Sequence, residues 1–306
     1  MKKLGVMSFN EKHEHAMRRA LELALNGPAK GLNPRVGAVL ITASGEIVGE
    51  GWHRGSGTDH AEVAALKDLQ ANGRANFNGP IATGLTAVVT LEPCNHTGKT
   101  GPCAQALITA GVERVIFATK DPGLNSSGGA ATIRDAGIEV DSGLLETEAE
   151  ELIRVWATAT RQQRPFVTLK YGSSLDGRSA AADGSSKWIT GPEARRDVHR
   201  RRTQIDAILV GTGTVIADDP ELTARHRDGS LYSEQPIRVI LGETQLDPAA
   251  RIFDESEGKS KTVQLHTRDL NSALSTLFDM GVRHLMVEGG AIVASEFVRH
   301  NLVNEY

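Results

Sequence analysis

The sequence predicts two α/β domains in tandem, and three observations predict them. Its 306 residues suffice for two domains of ordinary size, each with its own core. Helical and strand-like patterns alternate in both halves, the mark of layered α/β architecture. Between the halves a charged, helix-prone stretch from Glu146 to Arg161 ends in Arg161-Gln162-Gln163-Arg164-Pro165. We place the boundary there, with one domain over residues 1–150 and a second over residues 163–306.

The elements follow in order. Glu11 to Asn26 carries Met17, Leu21, Ala24 and Leu25 at helical spacing, with Asn10 as N-cap and Gly27-Pro28 as stop. Val36 to Thr42 and Glu46 to Gly51 read as a hairpin around Ala43-Ser44-Gly45. A helix over His60–Leu69, a buried strand over Ala87–Thr90, a helix over Pro102–Ala110 and a strand over Arg114–Ala118 complete the first half. In the second half, strands are expected over Phe166–Tyr171, Ala207–Val210, Ile237–Leu241, Thr262–His266 and His284–Val287, and helices over Pro192–Thr203 and Asn271–Met280.

Composition narrows the function. A net charge of -4 disfavours a broad polyanion-binding surface, so no nucleic-acid partner is expected, although a local basic patch can hold one phosphate. No apolar run approaches the roughly 20 residues that cross a bilayer, and Met1-Lys2-Lys3-Leu4-Gly5 leads into a charged helix rather than a signal-peptide core. No membrane association and a cytoplasmic location are expected. Cys94 and Cys103 are the only cysteines, and in the cytosol such a pair points to metal ligation or catalysis rather than to a disulfide.

Those cysteines stand in Pro93-Cys94-Asn95-His96-Thr97-Gly98-Lys99-Thr100-Gly101-Pro102-Cys103, with His60-Ala61-Glu62 upstream. One imidazole and two thiolates, His60, Cys94 and Cys103, form a three-ligand zinc set whose fourth position stays open, and an open position lets zinc activate water. His60 and Cys103 each begin a helix, where free amides and the helix dipole favour thiolate over thiol. Glu62 cannot easily share that metal but can carry a proton, the arrangement of zinc nucleobase deaminases. His-x-Glu alone is a weak signal in a chain with ten histidines, and the two proline-preceded cysteines supply the specificity. A structural zinc is the competing reading, and His96 is the one nearby candidate for a fourth ligand. We read His53 and His96 as substrate-side residues, and Asn33, at the mouth of the first strand, as a hydrogen-bonding group for substrate, with Gly37 permitting close backbone approach.

Together Asn33-Pro34-x-Val36-Gly37, Gly51-x-His53, His60-Ala61-Glu62 and Leu91-Glu92-Pro93-Cys94-x-His96-x-Gly98-x-Thr100-x-Pro102-Cys103 resemble the bifunctional riboflavin-biosynthesis deaminase–reductases called RibD. The long gap between the cysteines separates this family from cytidine and tRNA adenosine deaminases. The second half is similar to the family's reductase through Pro165 to Arg178, Ser186-Lys187-Trp188-Ile189-Thr190, Asp218-Asp219-Pro220-x-Leu222-Thr223-x-Arg225 and Val287-Glu288-Gly289-Gly290. The resemblance implies a cytidine-deaminase-like three-layer α/β/α domain followed by a dihydrofolate-reductase-like α/β domain. It implies Zn2+ and NADPH as cofactors and a phosphoribosylaminopyrimidine as small-molecule substrate; a homo-oligomer is also expected. It assigns NADP contacts to Gly172 or Ser173, Trp188, Thr214, Asp218 and the stretch from Gly290. Substrate contacts fall on Ser186, Arg202, Leu222, Arg225 and Glu288.

The residues of the second half support the same chemistry. An aminosugar that opens to an imine offers an electrophilic carbon, and a hydride donor then needs positioning more than a nucleophile. Asp176 and Glu288 are candidate acids. Arg195, His199 and Arg202 share one helix face suited to a substrate phosphate. Glu288-Gly289-Gly290-Ala291 follows a strand and precedes a helical stretch, where backbone N–H groups can receive a cofactor phosphate. Gly211-Thr212-Gly213-Thr214 is half of a dinucleotide fingerprint and lacks the rest.

Three features depart from the family pattern. Gly101-Pro102 replaces a proline pair, Asp121-Pro122-Gly123-Leu124 replaces Asp-Pro-Asn-Pro, and the reductase domain reads as shortened at its C-terminal end. Two rivals stand beside the main reading: a zinc deaminase of another base with a non-catalytic second domain, and a non-enzymatic ligand-binding protein with a structural zinc.

Overall fold

The computed structural model describes residues 9–74, 80–97, 101–178 and 189–306. They form two compact units, one reaching to Arg161 apart from Lys30–Leu32, the other holding those three residues and Gln162–Tyr306.

In the first unit α1 (Glu11–Ala24) begins where the Asn10 side chain accepts the His13 N–H at 3.1 Å, and it buries Ala16, Met17, Ala20, Leu23 and Ala24. The hairpin of β1 (Gly37–Ile41) and β2 (Ile47–Trp52) turns through Gly45 at φ +91°. Then come α2 (Ala61–Ala71), β3 (Thr86–Leu91), α3 (Cys103–Ala110), β4 (Arg114–Thr119), α4 (Gly129–Asp135), β5 (Glu139–Ser142) and α5 (Glu146–Gln162). The strands lie in the order β2-β1-β3-β4-β5, with β1 antiparallel to both neighbours and β3, β4 and β5 parallel.

Period-2 alternation divides the strand side chains between two apolar layers. Ala38, Leu40, Ala87, Val89 and Val115 pack with α2, α3 and α4, whereas Val39, Ile41, Val88, Ile116 and Ala118 pack with α1 and α5. The result is the three-layer α/β/α domain that the resemblance implied. Gly37 has a different use from the one expected. A Cβ there would sit 1.9 Å from the Ala20 carbonyl oxygen, so the glycine seats α1 on the sheet rather than admitting a ligand.

The second unit runs β6 (Phe166–Leu169), α6 (Pro192–Arg202), β7 (Ala207–Gly211), α7 (Thr212–Asp218), β8 (Ile237–Leu241), a single 3-10 turn at Arg251–Phe253, β9 (Thr262–Leu265), α8 (Leu270–Asp279), β10 (His284–Val287) and α9 (Ala291–Arg299). Its sheet is parallel throughout, in the order β6-β10-β7-β8-β9. Both faces are covered. Val167, Leu209, Val239 and Leu285 pack with α8 and α9, while Ile208, Val210, Ile240 and Met286 pack with α7 and the 3-10 turn. Strands buried on both faces read as continuous apolar runs, which is why these were visible in the sequence.

The predicted strand Phe166–Tyr171 ends at Leu169, and the next residues leave the sheet to form the wall of a cleft. Placing β10 between β6 and β7 reverses the direction of strand addition. Open parallel sheets bind ligands outside the carboxyl ends of their strands at such a point.

Candidate active sites

In the first unit His60 caps α2 and Cys103 is the first residue of α3, which follows Pro102 in extended backbone. Cys94 lies in the loop after β3. This topology brings His60 Nδ1 to 3.2 Å from Cys103 Sγ and 3.5 Å from Cys94 Sγ, and the Cys103 N–H donates to Cys94 Sγ at 3.4 Å. Zn–N and Zn–S bonds of about 2.0 and 2.3 Å at a tetrahedral centre set ligand atoms about 3.6 Å apart. The three ligand atoms, all within 4.8 Å of one another, fit that requirement. His96 is not part of the cluster.

The hydrogen bond from Cys103, with help from His60, holds the Cys94 thiol well below its ordinary value. The side-chain hydrogen bond with Cys94, and then burial, push the Cys103 thiol up. The Cys94 bond raises the His60 imidazole.

Glu62, in the first turn of α2, is 4% exposed, and burial pushes its carboxyl up to about 7. A carboxyl so placed exchanges its proton near neutrality, as a general acid–base group requires. His53 is equally buried and stands edge-on to His60 with ring centroids 5.3 Å apart. Its Nδ1 lies 3.1 Å from the Asp59 carbonyl, which can only accept, so Nδ1 carries the hydrogen and Nε2 accepts from Asn33 Nδ2 at 2.9 Å. This chain of contacts commits the Asn33 nitrogen and leaves its amide oxygen as an acceptor.

One structural contributor had no role in the sequence reading. Glu92, buried two residues before Cys94, accepts the backbone N–H groups of Gly128 (3.2 Å), Ala130 (3.1 Å) and Asp121 (3.4 Å). The Asn95 N–H also donates to the Ser126 carbonyl at 2.9 Å. The ligand loop is thereby tied to the 121–130 segment.

In the second unit a cleft of about 1040 Å³ opens beyond the ends of β6 and β10, with α7 contributing to its wall. Gly172, Thr214, Asp218, Gly290, Arg202 and Glu288, six of the residues singled out from sequence, line it. Arg195, His199 and Arg202 line it together, as their helical spacing predicts. Ser173, Leu222 and Arg225 are not among its lining residues, and Ser186 and Trp188 lie outside the described residues. Asp176 is exposed and pairs with Arg178 at 3.2 Å.

Arg202 turns its fork on the protein itself. Its Nε and Nη2 each meet a different oxygen of Glu288 at 3.0 Å, and its Nη1 donates to the Thr223 carbonyl at 2.8 Å. Lys170, which sequence reasoning did not single out, stands 3.5 Å from the same carboxylate. Val287 pairs with Leu169 in parallel register, so Glu288 and Lys170 are the first residues beyond adjacent strand ends. Burial alone would raise the Glu288 carboxyl, but Arg202 and Lys170 outweigh it and hold the group below its ordinary value. At the glycine edge, the Gly290 N–H donates to Thr214 Oγ1 at 3.2 Å.

No helix among the described residues is long and apolar enough to cross a membrane.

Comparison with known proteins bears on both sites. Residues 10–119 match the cytidine and deoxycytidylate deaminase zinc-binding region, and residues 165–306 match the RibD C-terminal domain. Riboflavin biosynthesis protein RibD of Mycobacterium tuberculosis is 47% identical over 272 residues, covering 89% of this chain and 76% of its own length. Its counterpart from Aquifex aeolicus is 41% identical over 315 residues, covering 95% and 84%. A solved diaminohydroxyphosphoribosylaminopyrimidine deaminase/5-amino-6-(5-phosphoribosylamino)uracil reductase from Thermotoga maritima superimposes with a TM-score of 0.80 at 38% identity, over 94% of this chain and 84% of that one. Acinetobacter baumannii RibD gives 0.82 at 36%, over 96% and 84%. With a zinc-type ligand set in one domain and a parallel-sheet cleft in the other, the chain belongs to the RibD family, the bifunctional zinc-dependent deaminases and NADPH-dependent reductases of riboflavin biosynthesis.

Proposed function

We propose that the chain carries out two successive steps on one phosphoribosylaminopyrimidine. The first domain, within residues 1–150, hydrolyses the 2-amino group of 2,5-diamino-6-(5-phosphoribosylamino)pyrimidin-4(3H)-one. The second, within residues 163–306, reduces the ribosyl group to ribityl and yields 5-amino-6-(5-phosphoribitylamino)uracil. The observation that carries this reading is His60 Nδ1 facing both sulfurs with the buried Glu62 carboxyl on the same helix.

His60, Cys94 and Cys103 hold zinc, which when bound supplies Lewis acidity and an activated water. Glu62 takes a proton from the attacking water and delivers it to the departing amino nitrogen, so that one C–O bond forms, one C–N bond breaks and ammonia leaves. Asn33 and His53 orient the pyrimidine. In the second domain NADPH when bound supplies the hydride. Gly172 or Ser173, Trp188, Thr214, Asp218 and the stretch from Gly290 hold it, while Ser186, Arg202, Leu222, Arg225 and Glu288 address the substrate. The protein acts in the cytoplasm as a homo-oligomer.

Purified protein given the diaminopyrimidine phosphate is expected to release ammonia, and to oxidise NADPH only once deaminated substrate is present. Ammonia release from cytidine instead, with none from the diaminopyrimidine, would overturn the substrate assignment. Deamination without any NADPH oxidation would leave the second domain a binding module.

A further inference from the structure

His199 sits on the cleft side of α6 and has two distinct ring nitrogens. Its Nδ1 lies 3.1 Å from the Thr223 carbonyl, the oxygen that also accepts Arg202 Nη1 at 2.8 Å. A carbonyl has no hydrogen to give, so Nδ1 carries the proton. Burial first, and then the charge of Arg202, hold the imidazole below its ordinary value, so the ring is neutral near neutral pH and Nε2 is a lone-pair acceptor. Among the described residues no donor meets Nε2.

The carbonyl that fixes this ring is itself fixed. Leu222, just before it, is held at φ +54°. Ala224, just after it, has both its N–H and its carbonyl bonded at 2.8 Å to the Gln235 side chain. The cleft wall also carries the cations Lys170, Arg195 and Arg202, and of its two carboxylates Glu288 is already engaged by Lys170 and Arg202, while Asp218 stands on α7. An uncharged acceptor held rigidly among cations suits a neutral hydroxyl, because an anion would be repelled by the lone pair and bound by the cations instead.

We infer that His199 is a binding residue of the reductase site whose Nε2 accepts a hydrogen bond from a sugar hydroxyl. The inference rests on the reductase reading above. Both ligands of that reaction carry sugar hydroxyls. We assign the ribosyl chain of the pyrimidine substrate, because His199 shares the Thr223 carbonyl with Arg202, the partner of Glu288.

Two amide substitutions in the full chain separate the ring nitrogens. His199→Asn places an amide near Nδ1, keeping a donor for Thr223 and removing the acceptor. His199→Gln places its amide near Nε2, keeping an acceptor and removing the Thr223 donor. The inference expects His199→Asn to raise KM for deaminated substrate by roughly 3- to 10-fold, the worth of one neutral hydrogen bond. It expects kcat and the KM for NADPH to stay near wild type, and His199→Gln to recover most of the loss. A rise confined to the NADPH KM would uphold the hydroxyl contact and assign it to the cofactor's sugar. The reverse order, with Asn unchanged and Gln impaired, would overturn the inference and reduce His199 to a brace for Thr223. Equilibrium binding of the deaminated substrate to the same variants repeats the comparison without turnover. A wild-type chain that binds this substrate normally but oxidises no NADPH would sink the reductase reading while leaving the His199 comparison decisive.

Discussion

Replacing Arg202 by Met tests the buried pair at the reductase cleft. Met keeps much of the side-chain volume but removes both charge-assisted bonds to Glu288, whose side chain is 7% exposed beside 12% for Arg202. Removing one member of a buried pair leaves the other charge uncompensated, at a cost of about 3–5 kcal/mol. Lys170, at 3.5 Å and more exposed, offsets part of this, so about 3 kcal/mol is expected, or roughly 6–15 °C in the unfolding transition of a domain this size. Glu288 is depressed in the folded state, so its contribution is full above the unfolded value of about 4.3 and is lost as pH falls through the folded one. The difference between wild type and Arg202→Met should therefore narrow in acid. Thermal unfolding, with hydrogen exchange of β6 and β10 amides to locate the transition, measures it. Adding Glu288→Gln to Arg202→Met should restore part of the loss. A single variant within about 0.5 kcal/mol of wild type from neutral pH into acid would show instead that the pair contributes no more than an exposed one.

Glu92→Gln leaves one of the three backbone N–H groups facing an amide donor, and the ligand loop should loosen. Zinc affinity measured by competition with a chelator is expected to fall roughly 10- to 100-fold, as for other outer-sphere supports, while reductase turnover is unchanged. Gly37→Ala places a methyl group 1.9 Å from the Ala20 carbonyl oxygen, against backbone that cannot yield. Loss of soluble first-domain fold, or destabilisation above about 3 kcal/mol by denaturant titration, is the expected result. His60→Ala, with one of three ligands gone, should abolish both tight zinc binding and ammonia release while the second domain still oxidises NADPH on deaminated substrate.

What the sequence disclosed follows from how local each signal is. The α1 periodicity and the doubly buried strands β7, β8 and β10 carry their burial in consecutive residues, so their positions were plain. Three short helices and one strand were missed or left unbounded. Glu139–Ser142 is a polar edge strand, α4 and α7 span only two turns and start from glycine-rich segments, and α9 was expected only as a helical stretch. The candidate metal cluster was legible because motif and helix start coincide at His60 and at Cys103. The Arg202–Glu288 pair was not, because its members stand 86 residues apart and meet only when α6 packs beside the end of β10. Lys170 needed the parallel register of β6 with β10, and the task of Gly37 needed the approach of α1, neither of which a linear pattern contains.

The proposed deamination turns on Glu62 moving the proton at the zinc site. Glu62→Gln keeps the shape of the side chain and removes its acid–base capacity, so bound zinc and ammonia release should be measured on the same preparation. One zinc per chain is expected, as in wild type, with deamination reduced by roughly 10²- to 10⁴-fold. Deamination at the wild-type rate, or a loss of activity that merely tracks a loss of zinc, would contradict that role for Glu62.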